Sequence, residues 1–216
     1  VRTASSPATA AVIWLHGLGA DGHDFEPVVP QLGLDGVAAV RFVFPHAPSI
    51  PVTINNGYVM PAWYDILEFD LERKVDETQL RASARAGAAL IEREIGRGID
   101  SRRIIVAGFS QGGAVGYEIA LTFTKRLAGL VAISSYFATQ NSIVPGTVNE
   151  NLPILICHGT RDPVVPEAHG EASYRRLLEM SYAAEYRTYP VEHGVDLTEI
   201  RDIGNWIGNR LRDGNA

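Results

Sequence analysis

Arg103-Ile104-Ile105-Val106-Ala107 is a compact apolar run that leads through Gly108-Phe109-Ser110-Gln111-Gly112-Gly113 into a helical pattern starting at Gln111. A short apolar run closed by glycine reads as a buried strand. The G-x-S-x-G that follows fits a sharp strand-to-helix turn holding a serine hydroxyl at the edge of a sheet. The glycines have a steric reason: on so tight a turn, a side chain two residues either side of Ser110 would collide with neighbouring backbone. Gly113 and Ala114 extend the small surface, letting the helix lie close to the sheet.

The same alternation continues in both directions. Further strand candidates are Ala10 to Leu15, Val40 to Phe44, Ala128 to Ser134, Pro153 to Cys157 and Ala184 to Tyr189. Most are apolar on both faces, as parallel strands covered by helices on either side should be. Helical patterns lie between them, the clearest from Glu77 to Ile95, where Leu80, Ala84, Ala88, Ile91 and Ile95 recur three or four apart. Asp76 can cap this helix with Gln79 reaching back, and Gly96 and Gly98 end it. Others run from Gln111 to about Arg126, Glu167 to Tyr182 and Asp196 to Leu211. This order predicts an α/β fold with a mostly parallel central sheet and helices on both faces, as one domain over residues 1–216. Residues 45–63 break the rhythm with four prolines and Asn55-Asn56-Gly57, and are expected to form a structured loop excursion near the active face.

Composition removes several classes of function. Nineteen basic residues against 25 acidic give a formal charge of −6, and no basic cluster exceeds Arg102-Arg103 or Arg175-Arg176. That is no footprint for nucleic acid or anionic lipid. The longest apolar runs fall far short of the roughly 20 residues that cross a bilayer, so no transmembrane segment is expected. The opening Val1 to Pro7 lacks the apolar core of a signal peptide, although no initiator Met is present. The single cysteine, Cys157, lies in the run Ile154-Leu155-Ile156-Cys157 and reads as a buried strand residue.

Two glycine motifs compete for the chemistry. Gly17-Leu18-Gly19-Ala20-Asp21-Gly22 fits G-x-G-x-x-G after a strand, which would suit a dinucleotide-dependent oxidoreductase. That reading requires a charged residue for the ribose at the end of the next strand, but the strand ends Val43-Phe44-Pro45-His46. Pro27 and Pro30 also interrupt the helix that should open there. Gly108 to Gly112 makes the better case. A serine hydroxyl needs a base and the base needs an orienting acid, here expected in the order Ser, acid, His. Of the histidines after Ser110, His158 precedes any suitable acid and His169 lies in a helical pattern. His193 occupies a loop at the carboxyl edge of a strand, and Asp162 lies just past another such strand. Glu192 competes as the acid, but neighbours on an extended segment point apart. The catalytic candidates are therefore Ser110, Asp162 and His193. An oxyanion formed at Ser110 needs two amide donors, for which the Leu18 and Gln111 backbone N–H groups are the candidates.

At these residues the chain resembles the acyl-protein thioesterase and carboxylesterase family of α/β hydrolases, especially its small bacterial carboxylesterases. The likeness is carried by His16-Gly17-Leu18-Gly19 with Gly22, Pro45-His46-Ala47-Pro48, Val52 to Asn55, Gly57 to Met60, Ala62-Trp63-Tyr64-Asp65, Gly108 to Gly113, and His158-Gly159 to Asp162-Pro163-Val164-Val165-Pro166. It implies a cytoplasmic serine hydrolase of carboxylic esters, lysophospholipids or acyl thioesters. Small-molecule or lipid esters and acylated proteins would be its partners, with no cofactor and no metal, in a family whose members are often homodimers. It also implies that residues 45–63 help form the acyl groove. By residue type Phe25, Trp63, Phe137, Val164 and Val165 are candidates to line it, and each suits the core equally well. One departure from the family pattern is Glu192-His193-Gly194, where relatives commonly carry Gly-His-Ser. A dinucleotide oxidoreductase and a catalytically silent α/β-hydrolase scaffold are the rival readings.

Overall fold

The computed structural model describes residues 7–68 and 74–213; residues 1–6, read above for a leader, lie outside this range. In chain order the strands are β1 (Ala10–Leu15), β2 (Val40–Val43), β3 (Ser49–Val52), β4 (Tyr58–Pro61), β5 (Ile104–Phe109), β6 (Gly129–Ile133), β7 (Ile154–Gly159) and β8 (Ala184–Tyr189). Six form one sheet in the order β2-β1-β5-β6-β7-β8, with every neighbouring pair parallel. All six expected sheet strands are present; β1 and β8 have the expected ends, and the ends of the other four differ by at most two residues. β1, β5, β6 and β7 are buried along their whole length, which is why their sequences run apolar without alternation. β8, at one edge, is only partly covered: Ala184 and Tyr186 pack against one core and Tyr189 is buried in the other.

The helices are α1 (Glu77–Gly96), α2 (Gln111–Thr122), α3 (Glu167–Glu179) and α4 (Leu197–Asp213). Leu80, Ile91, Ile119 and Leu177 of the first three share a core with Ile13, Leu15, Ile104, Val106 and Ile156 on one face of the sheet. On the other face, Ile200, Ile203, Trp206, Ile207 and Leu211 of α4 pack with Leu32, Val12, Ile105, Val131 and Leu155. Each of these buried aliphatic side chains contributes about 1.5–3 kcal/mol.

Local signals and tertiary contacts disagree at two helix ends. Asp76 caps α1 as expected, its Oδ1 accepting from Gln79 N at 3.0 Å. Gln79 does not complete the box, however; its Oε1 accepts from Asp65 N at 2.8 Å and ties the helix to the segment that enters the active face. α2 stops at Thr122 rather than near Arg126. Asn149 binds the chain just beyond it, donating to Phe123 O and Lys125 O and accepting from Leu127 N, so these groups have partners outside the helix.

α4 carries a buried acid. Glu199 is fully buried and neither carboxyl oxygen has a hydrogen-bond partner among the described residues. Burial, with Asp196 and Asp202 nearby, pushes its pKa from 4.5 to about 8. The folded chain thus holds a proton that the unfolded chain releases, and stability is lost as pH rises from about 4.5 to about 8. Glu199→Gln removes this loss. Its urea midpoint relative to the parent should gain steadily between pH 5 and 8, at up to about 1.4 kcal/mol per pH unit. A difference independent of pH would show that Glu199 is ionised in the folded state.

Candidate active site

In strand order the sheet reverses direction between β1 and β5, where β2 goes to one side of β1 and the rest of the sheet to the other. The carboxyl ends of strands at such a switch leave a crevice that open α/β sheets use for ligands. Ser110 follows β5 and the Gly17 loop follows β1, so both glycine motifs open on that crevice.

Ser110 sits at φ 53°, ψ −119°, a conformation that non-glycine residues seldom adopt. It is held there on several sides. Its N–H donates to Ile133 O at 2.8 Å, while its carbonyl accepts from Ser135 Oγ at 2.6 Å and Gly113 N at 3.0 Å. A Cβ on Gly108 would collide with Gly112 and Gly113 backbone, and one on Gly112 would lie 2.5 Å from both Leu15 O and His16 O.

His193 Nε2 lies 3.0 Å from Ser110 Oγ, and its Nδ1 lies 2.7 Å from Asp162 Oδ2. With Asp162 accepting, Nδ1 carries the proton and Nε2 is free to accept from the serine. Asp162 Oδ1 accepts from Val164 N at 2.9 Å and Val165 N at 2.8 Å. Burial opposes its ionisation, but the bond from His193 and the two amides outweigh it and hold the carboxyl below its ordinary pKa. The two loops are joined by Thr160 N donating to Tyr189 O and Arg161 N to Val191 O. Glu192 points to solvent and makes no hydrogen bond or ion pair with the imidazole. His158 is fully buried beneath this loop, its Nε2 2.8 Å from Val165 O, and burial depresses its pKa. As a neutral donor it braces the turn that presents Asp162.

The Gly17 loop is fastened as firmly. His16 Nδ1 lies 2.7 Å from Gly17 O while Nε2 accepts from Ala47 N at 3.1 Å, and burial lowers its pKa. No α-helix opens after Gly22; a 3-10 turn from Glu26 to Leu32 follows, with Pro27 and Pro30 inside it. Gly19 N donates to Pro61 O at 2.8 Å, joining the loop to the β3–β4 hairpin that residues 45–63 form. Gln111 is the second anchor: its side chain accepts from Trp63 N at 2.8 Å and donates to Tyr64 O at 2.7 Å. The backbone N–H groups of Leu18 and Gln111 have no acceptor among the described residues.

A cavity of about 190 Å³ opens at Ser110 and His193, lined also by Gly17, Leu18, Ala20, Asp24, Ile54, Ile66, Phe109, Gln111, Tyr136 and Val164. Of the five residues expected in the groove, only Val164 lines it. Phe25 is buried behind the wall, its ring 5.2 Å from Trp14 and 5.3 Å from Phe109. Trp63 is also buried; its Nε1 donates to His16 O at 2.8 Å, so it supports the Gly17 loop from below. Val165 faces the core, and Phe137 stacks on Tyr117 at 4.8 Å. Each is drawn inward because its apolar surface finds the core from a position that sequence places only near the site. Ile54, Ile66, Tyr136 and Asp24 were not anticipated. Ile54 alone had a signal, lying in the segment assigned to the groove.

The chain matches the model of a family described as Phospholipase/Carboxylesterase over residues 1–210. It is 40% identical over 214 residues to acyl-protein thioesterase 1 of Neurospora crassa, covering 94% of this chain and 87% of that protein. Among solved structures, SOBER1 of Arabidopsis thaliana superposes with a TM-score of 0.87 at 32% identity, covering 94% of this chain and 99% of that one. Acyl-protein thioesterase 2 of Zea mays superposes with a TM-score of 0.85 at 25% identity, covering 98% and 97%.

Proposed function

Because the chain belongs to the phospholipase/carboxylesterase family and has the α/β-hydrolase fold, we propose that it cleaves carboxylic esters and thioesters through an acyl-enzyme on Ser110. It is a hydrolase by family. The observation that carries the mechanism is the file of Ser110 Oγ, His193 and Asp162 at 3.0 and 2.7 Å. Ser110 Oγ attacks the acyl carbonyl and passes its proton to His193 Nε2, while Asp162 holds the ring and stabilises the imidazolium. The carbonyl oxygen, now an anion, accepts from the Leu18 and Gln111 amides, each such donor lowering the barrier by about 3 kcal/mol. Collapse expels the alcohol or thiol with the proton from His193. Water, deprotonated by the same nitrogen, then releases the acid and restores the serine. The mechanism uses no metal or cofactor.

Lysophospholipids and S-acylated proteins fall within this substrate class, the latter supported by the likeness to acyl-protein thioesterases. On the same likeness we read the enzyme as cytoplasmic and homodimeric; none of the described helices is long and apolar enough to cross a membrane.

The cavity bounds the acyl length. At ~30 Å³ per group of about the size of a water, 190 Å³ holds at most about six heavy atoms, and the leaving group shares it. Esters and thioesters of graded chain length should give a maximum in kcat/KM at six carbons or fewer and a fall toward sixteen. No turnover of any of them would overturn the hydrolase reading, and a maximum at sixteen would place the acyl chain outside this cavity.

A further inference from the structure

The cavity has two chemically different sides. Leu18, Ile54, Ile66 and Tyr136 belong to the core on the α1–α3 face of the sheet. Phe109 belongs to the opposite core, and its ring lies 4.8 Å from His193 and 5.3 Å from Phe25. Asp24 immediately precedes Phe25, whose ring packs through Phe109 toward His193, and Asp24 lines the same cavity as Ser110 and His193. It carries the only carboxylate lining the cavity among the described residues. It is exposed, and its carboxylate has no hydrogen-bond or ion-pair partner among them; its neighbour Asp21, by contrast, accepts from His23 N at 2.7 Å.

The mechanism proposed above gives these sides their meaning. His193 returns the proton to the departing oxygen or sulfur, so the leaving group lies on the His193 side and the acyl chain takes the apolar side. We propose that Asp24 selects the leaving group by charge, favouring esters and thioesters whose alcohol or thiol carries a positive charge and disfavouring anionic ones. This rests on the hydrolase reading. Across water at low ionic strength, an attraction or repulsion of about RT between a carboxylate and a leaving-group charge changes binding about threefold in each direction, so the cation-to-anion preference is about tenfold. The cation can come from a quaternary ammonium thiol or from a basic peptide around an acylated cysteine.

The test compares kcat/KM for three S-butyryl thioesters, of thiocholine, 2-mercaptoethanol and 3-mercaptopropionate, in the parent and in Asp24→Asn at low ionic strength. The ratio of the thiocholine to the mercaptopropionate ester should fall about tenfold in the variant, and the parent's ratio should fall in 0.5 M NaCl. Asp24→Lys should invert it. Matched S-butyryl-cysteine peptides flanked by Lys or by Glu identify the source: loss of a Lys preference in Asp24→Asn supports a basic polypeptide, whereas a response confined to thiocholine supports a small ammonium thiol. Equal ratios in parent and variants, with the neutral thioester turned over, would overturn the role of Asp24 alone. No turnover of the neutral thioester by the parent would overturn the hydrolase reading beneath it.

Discussion

Ser110→Ala is expected to fold as the parent does and to lose at least about three orders of magnitude in kcat. The side chain contributes little to the fold: Ser110 Oγ has only the His193 ring as a hydrogen-bond partner among the described residues. The unusual backbone is held by Ile133, Ser135 and Gly113 through main-chain atoms that alanine keeps. Alanine at φ 53° meets the same steric cost as serine, so no new strain enters. What disappears is the atom that forms the acyl-enzyme, leaving only the oxyanion donors and substrate binding to accelerate attack by water. Circular dichroism and steady-state kinetics with a six-carbon ester check both halves. A fluorophosphonate should label the parent at Ser110 and leave the variant unmodified. Parent-like turnover by the variant would sink the mechanism, and an unlabelled, inactive parent would favour a binding scaffold.

The second large effect is expected from Gly112→Ala, a change of one methyl group that touches no substrate. The new Cβ would stand 2.5 Å from Leu15 O and His16 O, and 2.7 Å from Leu15 C. These are backbone atoms at the end of a central strand and cannot give way as a flexible side chain would. The start of α2 must instead move off β1, carrying the Gln111 amide and Ser110 away from the Gly17 loop. Destabilisation of about 3 kcal/mol follows from overpacking of this kind, and loss of one oxyanion donor lowers kcat about 100-fold or more. Gly96→Ala is the control, since no atom lies within 4 Å of its would-be Cβ and the residue ends α1. It should leave both quantities near the parent's or raise stability slightly. Gly112→Ala with parent kinetics would mean that the two donors need not be held together.

Those two outcomes also mark where sequence reasoning is strong. The strand, turn and helix around Ser110 follow from hydrophobic pattern and from glycines that sterics demand within a few residues. The six sheet strands were legible for the same reason: a buried parallel strand announces itself as a short apolar run. Asp162 and His193 could be found because each must stand at a strand's carboxyl edge, a constraint of chain order as much as of space.

Reasoning from residue type failed where position depends on chain segments remote in sequence. Phe25, Trp63 and Val165 have the chemistry of groove residues, yet each turns into the core and supports the site from behind. Gln79 was suited to close a capping box, but Asp65 N offered a partner from a segment 14 residues away. Gln111 was identified for its amide, while its side chain proved to be the clamp that fixes the Trp63–Tyr64 segment beside the serine. Asp24 drew no notice among 25 acidic residues until the fold set it in the wall of the cavity.

Local sterics and burial periodicity act over a few residues, and they were enough to specify strands, helices, the serine turn and the order of candidate groups along the chain. Which side chains face substrate is a different matter. It depends on the sheet reversing between β1 and β5, on the hairpin folding back over the Gly17 loop, and on which apolar groups the two cores claim first. Those are long-range competitions for buried surface and hydrogen-bond partners, and they are resolved only when the packed chain brings distant segments into contact.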